Sequence, residues 1–343
     1  MIDKTFSRRD VLKVIGSLPA VTGAVRATEL LGAQAAAPAA AAAGPQMALV
    51  SRHIEWTDME EGAAAAAEAG FRAVAWTCRP RAHILAENVE KELPRAVEIA
   101  RKNGLATPML ITGMNDVDAP RAEAILDTMR NVGITRYRAP NYRYDHSKEL
   151  LPQWEALKPR LAAFAKLNEK YGTTAMFHTH SSEASVGGGL WDIWLLVRDH
   201  SPKTLAINYD IGHATVRGGT EWKQTARFAH AHIGALSLKD MHWIKRADAA
   251  PNTYPWDNEF VVPGQGMVNF PEMFAYFKSV QFSGPMEVYF EYQVDLGGGR
   301  SMNMLGDRIG WKLEMPKAQF ISLMKRDVTF YRNQFATLGW NVG

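Results

Sequence analysis

Histidine, lysine and carboxylate side chains gather at the ends of short apolar runs in the second half of the chain, and chemistry is expected there. One run ends Phe177-His178-Thr179-His180, and the next ends Asn208-Tyr209-Asp210-Ile211-Gly212-His213. A third ends Ser237-Leu238-Lys239-Asp240-Met241-His242-Trp243, and a fourth Glu287-Val288-Tyr289-Phe290-Glu291-Tyr292. His178 and His180 are two apart, so on a strand they share a face. A lone histidine reads more readily as a satisfied core residue; a pair at a strand end points to a ligand or an acid/base group. Asp210 closes a buried-looking strand, where an unpaired carboxylate is costly, so it is either functional or the cap of a helix or turn. Glu291 sits among aromatics, which makes it paired, metal-bound or raised in pKa. Lys239 and Asp240 read equally well as an ion pair closing a loop. Imidazole nitrogens together with carboxylate oxygens suit a divalent ion such as Mn, Zn, Co or Mg. One cysteine, Cys78, supplies no thiolate set for copper(I) or an iron–sulfur cluster. An ion at these residues would act as a Lewis acid on a carbonyl or hydroxyl pair.

The elements that must carry these residues alternate regularly. Apolar runs fall at Met47–Ile54, Phe71–Thr77, Thr107–Gly113, Thr135–Pro140, Thr173–His180, Thr204–Asp210, Gly234–Asp240 and Gly284–Tyr292. Amphipathic stretches follow each, from Met59–Ala69 to Lys317–Phe335, and Gly70, Gly104, Gly133, Gly172 and Gly234 stand where helix C-caps prefer glycine. Repeated βα units imply parallel strands with right-handed crossovers, and eight of them fit a single (β/α)8 TIM barrel over residues 47–343. A doubly wound sheet would open with a glycine-rich phosphate turn, whereas Glu55-Trp56-Thr57-Asp58 follows the first run here. A barrel sets catalytic groups at the C-terminal ends of its strands, where Arg138 from the fourth run joins the residues above. The stretch Ala247–Asn269 reads as an irregular loop over that mouth.

The first segment reads as an address. Ser7-Arg8-Arg9-Asp10-Val11-Leu12-Lys13, a weakly apolar stretch and Ala33-Gln34-Ala35 are the three parts of an export signal. They resemble a bacterial twin-arginine signal, with Val11 where phenylalanine is usual. Residues 1–35 are therefore expected to engage the twin-arginine export machinery and be cleaved, 36–46 to form a flexible Ala/Pro-rich leader, and the product to be periplasmic or otherwise exported. With 39 basic and 36 acidic side chains the net charge is +3, which gives no electrostatic case for nucleic acid. Apolar residues make up 47%, an ordinary globular share that excludes whole-chain disorder, and no apolar run is long enough for a stable membrane span.

At the strand ends a resemblance becomes specific. Asp210-Ile211-Gly212-His213 resembles the Asp-x-Gly-His motif of the xylose isomerase-like TIM-barrel superfamily of sugar isomerases, epimerases, dehydratases and lyases. Leu238-Lys239-Asp240 resembles its Lys-Asp step after strand seven. Gly264-Gln265-Gly266 running to Phe270 looks like the segment before its seventh helix. Gly284-Pro285 with Phe290-Glu291-Tyr292 looks like its last strand, and Phe177 to His180 is similar to a Tyr-His-Asn-His strand of one branch.

The resemblance implies one divalent ion held by Glu, Asp, His and Glu from strands five to eight. Asp210 and Glu291 match; the first glutamate falls at His178 and the histidine at Ser237. By position, His178 or His180 replaces the glutamate and His242 the histidine, giving His180, Asp210, Glu291 and His242 as the expected metal set. The implied chemistry removes a proton α to a sugar carbonyl. Glu291 and His178 would be the acid/base groups, and Lys239 would steady the oxyanion. Arg138, His213, Asp240 and Trp243 would contact substrate, with Trp76, Trp243 and Trp256 offering stacking walls. The expected function is an isomerase or epimerase acting on a free sugar, polyol ketone or keto-glycoside. The alternatives are a keto-sugar hydratase or lyase on the same barrel, and a non-catalytic carbohydrate-binding barrel.

Overall fold

Alternation with period two decides both the core and the site. The computed structural model describes residues 44–306 and 309–343; the expected export segment and residues 36–43 of the leader lie outside the described residues. Eight parallel strands close a barrel: β1 (Met47–Val50), β2 (Ala73–Cys78), β3 (Leu110–Thr112), β4 (Arg136–Ala139), β5 (Thr174–His178), β6 (Leu205–Asp210), β7 (Ile233–Leu238) and β10 (Met286–Val288). Each pairs with its neighbour in sequence order, and β1 pairs β10 through Ala48↔Glu287 to close the ring. The expected (β/α)8 barrel is the observed fold.

Outward-facing residues such as Leu49, Trp76, Phe177, Tyr209, Leu236 and Val288 pack into one continuous layer beneath the helices. The inward positions are small: Ala48, Ala73, Ala75, Ala206 and Ala235, with Met109 and Met176, form a separate interior cluster. Toward the C-terminal ends that interior turns polar. The same alternation that points Ala206 inward points Asn208 and Asp210 inward; Ala235 is followed by Ser237 and Lys239, and Met176 by His178. Trp76, expected as a stacking wall, is fully buried on the outward face of β2, so it packs the core.

The helices are α1 (Met59–Glu68), α2 (Val89–Lys102), α3 (Ala122–Asn131), α4 (Leu150–Tyr171), α5 (Trp191–Val197), α6 (Ile211–Gly218), α7 (Trp222–Ala229), α8 (Phe270–Ser279) and α9 (Lys317–Thr337). Helix α9 buries Phe320, Met324, Val328, Tyr331 and Phe335, a stripe at the 3.6-residue period, and Phe335 meets Phe274 of α8 at a ring separation of 4.7 Å. Truncating a ring so placed costs about 3–5 kcal/mol. No helix of the described residues is long and apolar enough to cross a membrane.

Three features depart from the sequence reading. The stretch Ala247–Asn269 is not wholly irregular: β9 (Trp256–Val261) within it pairs antiparallel with β8 (Asp240–Lys245) as a hairpin standing on the rim. A second hairpin, β11 (Gln293–Gly297) with β12 (Arg300–Asn303), follows the last barrel strand. Gly234 caps no helix; it lies in β7, where an added Cβ would stand 3.0 Å from both Ala206 and Met176.

Candidate active site

Lys239 leaves the end of β7 and its ammonium stands among three acceptors. Nζ is 2.8 Å from Glu291 Oε2, 3.0 Å from Asp210 Oδ2 and 3.2 Å from His213 Nε2. Two aromatic faces complete the enclosure, Tyr289 with its ring centre 4.7 Å from Nζ and Phe260 of β9 at 5.0 Å. The Lys239 stem reaches this point by passing over Gly212, where a Cβ would meet Lys239 Cγ at 2.9 Å. Asp210 is at once the last residue of β6 and the N-cap of α6, its Oδ1 accepting from His213 N at 2.9 Å. That cap fixes the start of α6 and with it the position of the His213 ring. One oxygen of Asp210 thus serves the helix cap, and the other faces the Lys239 ammonium.

The charge states follow from burial and these partners. Burial opposes the charge on Lys239, but Asp210 and Glu291 outweigh it and hold the ammonium above its ordinary pKa. Burial would raise Glu291 too, yet the adjacent Lys239 keeps that carboxyl below the usual range. Burial pushes the Asp210 carboxyl up to about 6 against the pull of Lys239. His180 is pushed down to about 4, first by burial and then by Lys239, while burial and neighbouring cations hold His178 and His213 well below their ordinary value. At neutral pH the site is one ammonium, two carboxylates and three neutral imidazoles.

His178 and His180 both join this cluster. His178 is buried, with Nε2 3.5 Å from Asp210 Oδ2. His180 is half-buried, its ring 4.1 Å from that of His213, and its Nδ1 accepts from Ser182 N. Arg138 donates to the Tyr289 hydroxyl and lies over that ring at 5.7 Å, so it reaches the cluster through Tyr289. A cleft of about 780 Å³, lined by Phe260, Gln265, Glu291 and Asn303, opens beside Glu291. A cleft of about 920 Å³ on the opposite face, beside Arg136, Lys203 and Gly234, is lined by no carboxylate.

Two expected site residues are placed elsewhere. His242 does not join the ligand cluster; it lies on β8 with Nε2 2.7 Å from Glu259 of β9, a cross-strand pair on the hairpin. Asp240, expected to contact substrate, accepts instead from the backbone N–H groups of Gly264, Gly266, Val268 and Met241 at 2.8–3.2 Å, which commits both oxygens to a loop. Trp243 is partly exposed on β8 and donates Nε1–H to Val216 O at the end of α6, while Trp256 is exposed at the start of β9.

A buried layer beneath the cluster was not singled out from sequence. Glu287 is fully buried inside the barrel and its Oε2 accepts from Asn208 Nδ2 at 2.5 Å and Ser237 Oγ at 2.8 Å. The signal for it was a charged residue in the middle of the apolar run Met286-Glu287-Val288.

His178, Asp210 and His213 offer ligand atoms within 4.8 Å of one another, the spacing of a divalent-ion site. The donor chemistry suits such an ion, but the focus does not. Lysine can only donate, so His213 Nε2 accepts from Nζ and its ring proton sits on Nδ1, 2.9 Å from Ser181 Oγ. A neutral imidazole has one free lone pair, and here the ammonium uses it. The same ammonium flanks Asp210 Oδ2, so a dication at these atoms would meet a full positive charge about 3 Å away. The residues therefore do not fit a resident ion while Lys239 holds this position.

With this geometry in hand, comparison with known proteins finds a family model, described as xylose isomerase-like TIM barrel, that matches residues 63–307. An inosose dehydratase of Bacillus licheniformis is 25% identical over 151 residues, which are 42% of this chain and 49% of that protein. The chain thus spans about half the length of the curated relatives it matches. Among solved structures, the apo form of the 3-keto-D-glucoside 4-epimerase YcjR from E. coli superposes with a TM-score of 0.55 at 14% identity, covering 86% of this chain and 99% of that one. The IOLI protein with a bound zinc atom superposes with a TM-score of 0.59 at 11% identity, covering 85% and 97%. At such identities these structures show the shared fold alone.

Proposed function

The chain belongs to the xylose isomerase-like TIM barrel family, and from that premise we propose that it is an exported enzyme that moves a proton on the carbon beside a sugar carbonyl. The observation that carries the reading is the Lys239 ammonium held between two carboxylates at the C-terminal mouth of the barrel, 2.8 Å from the more accessible of them, Glu291. The Glu291 side chain is 15% exposed and that of Asp210 fully buried, so Glu291 is the carboxylate able to reach a substrate in the adjoining cleft.

In this proposal Glu291 takes the α proton, the C–H electron pair forms the new C=C bond, and the carbonyl π pair moves onto the oxygen. A Lys239 N–H steadies that oxygen. His180, neutral and half-buried, returns or accepts a proton on the other side, with His178 holding Asp210 behind it. Arg138, through Tyr289, and His213 set the polar wall against which substrate hydroxyls lie. Return of the proton to the opposite face or to the neighbouring carbon gives an epimer or isomer. The expected substrate is a free sugar, polyol ketone or keto-glycoside, since an exported enzyme works away from cytoplasmic sugar phosphates; the export reading rests on Ser7-Arg8-Arg9 and the segment after it.

A dehydratase reading has its own support in the inosose dehydratases among the relatives. It shares the first step: after removal of the α proton, a hydroxyl on the β carbon leaves as water once protonated.

The test is incubation with free and 3-keto sugars in D2O, followed by NMR. Solvent deuterium at the α carbon is expected, with or without loss of water. Binding without exchange would favour a carbohydrate-binding barrel, and neither binding nor exchange across the panel would remove the sugar reading.

A further inference from the structure

The polar mouth of the barrel has the residue types of a metal centre, yet its geometry is that of an ammonium site. Nζ of Lys239 donates to Glu291 Oε2 at 2.8 Å and to His213 Nε2 at 3.2 Å, and forms an ion pair at 3.0 Å with Asp210 Oδ2, which accepts no directed hydrogen bond. The faces of Tyr289 and Phe260 fill other directions, and a π face attracts an ammonium, whereas a hard dication asks for oxygen or nitrogen ligands there. The path of the stem is built as well, because Gly212 leaves the space through which Lys239 Cγ passes. Lys239 is 4% exposed, so its charge is deeply placed between two carboxylates rather than that of a surface lysine that has swung inward.

We infer that the Lys239 ammonium is the resident cation of this site, standing where a divalent ion would bind and excluding one. The competition is specific: the single His213 Nε2 lone pair serves the ion or the lysine, not both. Two carboxylates, Asp210 and Glu291, face Lys239 directly, and Arg138 adds a second positive charge nearby that Glu287 also faces.

The arrangement also sets what happens when substrate arrives. The longest of the three contacts, 3.2 Å to His213, is the one a carbonyl oxygen exchanges for with least loss. The exchange turns one N–H of Lys239 toward the developing oxyanion and frees the His213 lone pair to accept a substrate hydroxyl. No bond is made or broken beyond the proton transfer to Glu291 already described, and no oxidant or further reactant enters. This part rests on the proposed carbonyl chemistry; the exclusion of an ion does not.

The two parts are tested separately. Elemental analysis of the purified protein, and calorimetric titration with Mn2+, Zn2+ and Mg2+, should find no stoichiometric ion in the wild type. Lys239→Met frees the donors and should bind Zn2+ at least about tenfold more tightly than the wild type. One ion per chain in the wild type, or a folded Lys239→Met that binds no better, overturns the inference. If Lys239→Met does not fold, the wild-type measurement alone decides. Ion content is read without any substrate, so failure of every sugar to exchange would sink the proposed function and leave this result standing. Where exchange is found, a chelator should leave its rate unchanged; loss of exchange with chelator and its return with added ion would overturn the inference.

Discussion

Lys239 and Asp240 are consecutive, yet they serve opposite sides of the chain: the ammonium meets Asp210 and Glu291 inside the mouth, and the carboxylate meets the backbone of the 264–268 loop. Alternation at the end of β7 separates them, so they form no pair with each other. Asp240→Ala would leave four backbone N–H groups without their acceptor. We expect it to cost about 2–4 kcal/mol, read by urea denaturation. Gly266→Ala should act at the same joint, since its Cβ would fall 2.2 Å from Asp240 Oδ1. Unchanged midpoints in both variants would refute the clamp.

Glu291→Gln keeps the shape of the side chain and removes the base. Exchange at the α carbon should fall by about 10²–10⁴-fold with the circular dichroism spectrum intact. Activity within a few-fold of wild type would assign proton removal to another group.

His242→Ala should leave turnover within about twofold and stability within about 1 kcal/mol, because a half-exposed pair on a hairpin contributes little. A large fall in activity would return His242 to the site.

Glu55 follows the turn after β1, is 1% exposed, and has its pKa pushed up from 4.5 to about 7 by burial. Its folded pKa lies above its unfolded one, so its contribution is fully present below about 4.5 and lost as pH rises through about 7. The stability of the wild type relative to Glu55→Gln should fall by up to about 3 kcal/mol over that window, against the opposing rise that the buried histidines give to both proteins. Parallel curves for the two proteins would contradict the assignment.

Export is tested by changing Arg8 and Arg9 to lysine, which keeps the charge and removes the arginine pair. Periplasmic accumulation should stop. Accumulation at the wild-type level would withdraw the twin-arginine reading.

Five of the eight barrel strands, β2 and β4 to β7, could be read nearly whole, and all of these but β4 are buried along almost their full length and stand out as continuous apolar runs. The other three were overread: Met47–Ile54 shortens to Met47–Val50, Thr107–Gly113 to Leu110–Thr112 and Gly284–Tyr292 to Met286–Val288, since residues such as Ile54, Phe290 and Tyr292 pack after the ladder has ended. The hairpin of β8 and β9 was missed because polar and apolar residues mix without a regular period and only Asp240 and Met241 of it are buried. In the site, the conjunction of Asp210, His213, Lys239 and Glu291 was legible from strand ends. What spacing alone does not carry is direction: Lys239 against Asp240, or His180 against His242, differ only in which way the side chain leaves the backbone.

The first barrel strand also holds the last residue: Met47 N–H donates to Gly343 O at 2.8 Å, and Gly343 N–H to Pro45 O at 3.0 Å. Residues 45 and 343 are therefore a natural place for a covalent join. A circularly permuted version, linked there and reopened among the exposed residues 247–253 of the β8–β9 turn, would keep every barrel seam. It would put new ends on the rim beside the mouth, where a reporter could be attached within reach of an arriving ligand.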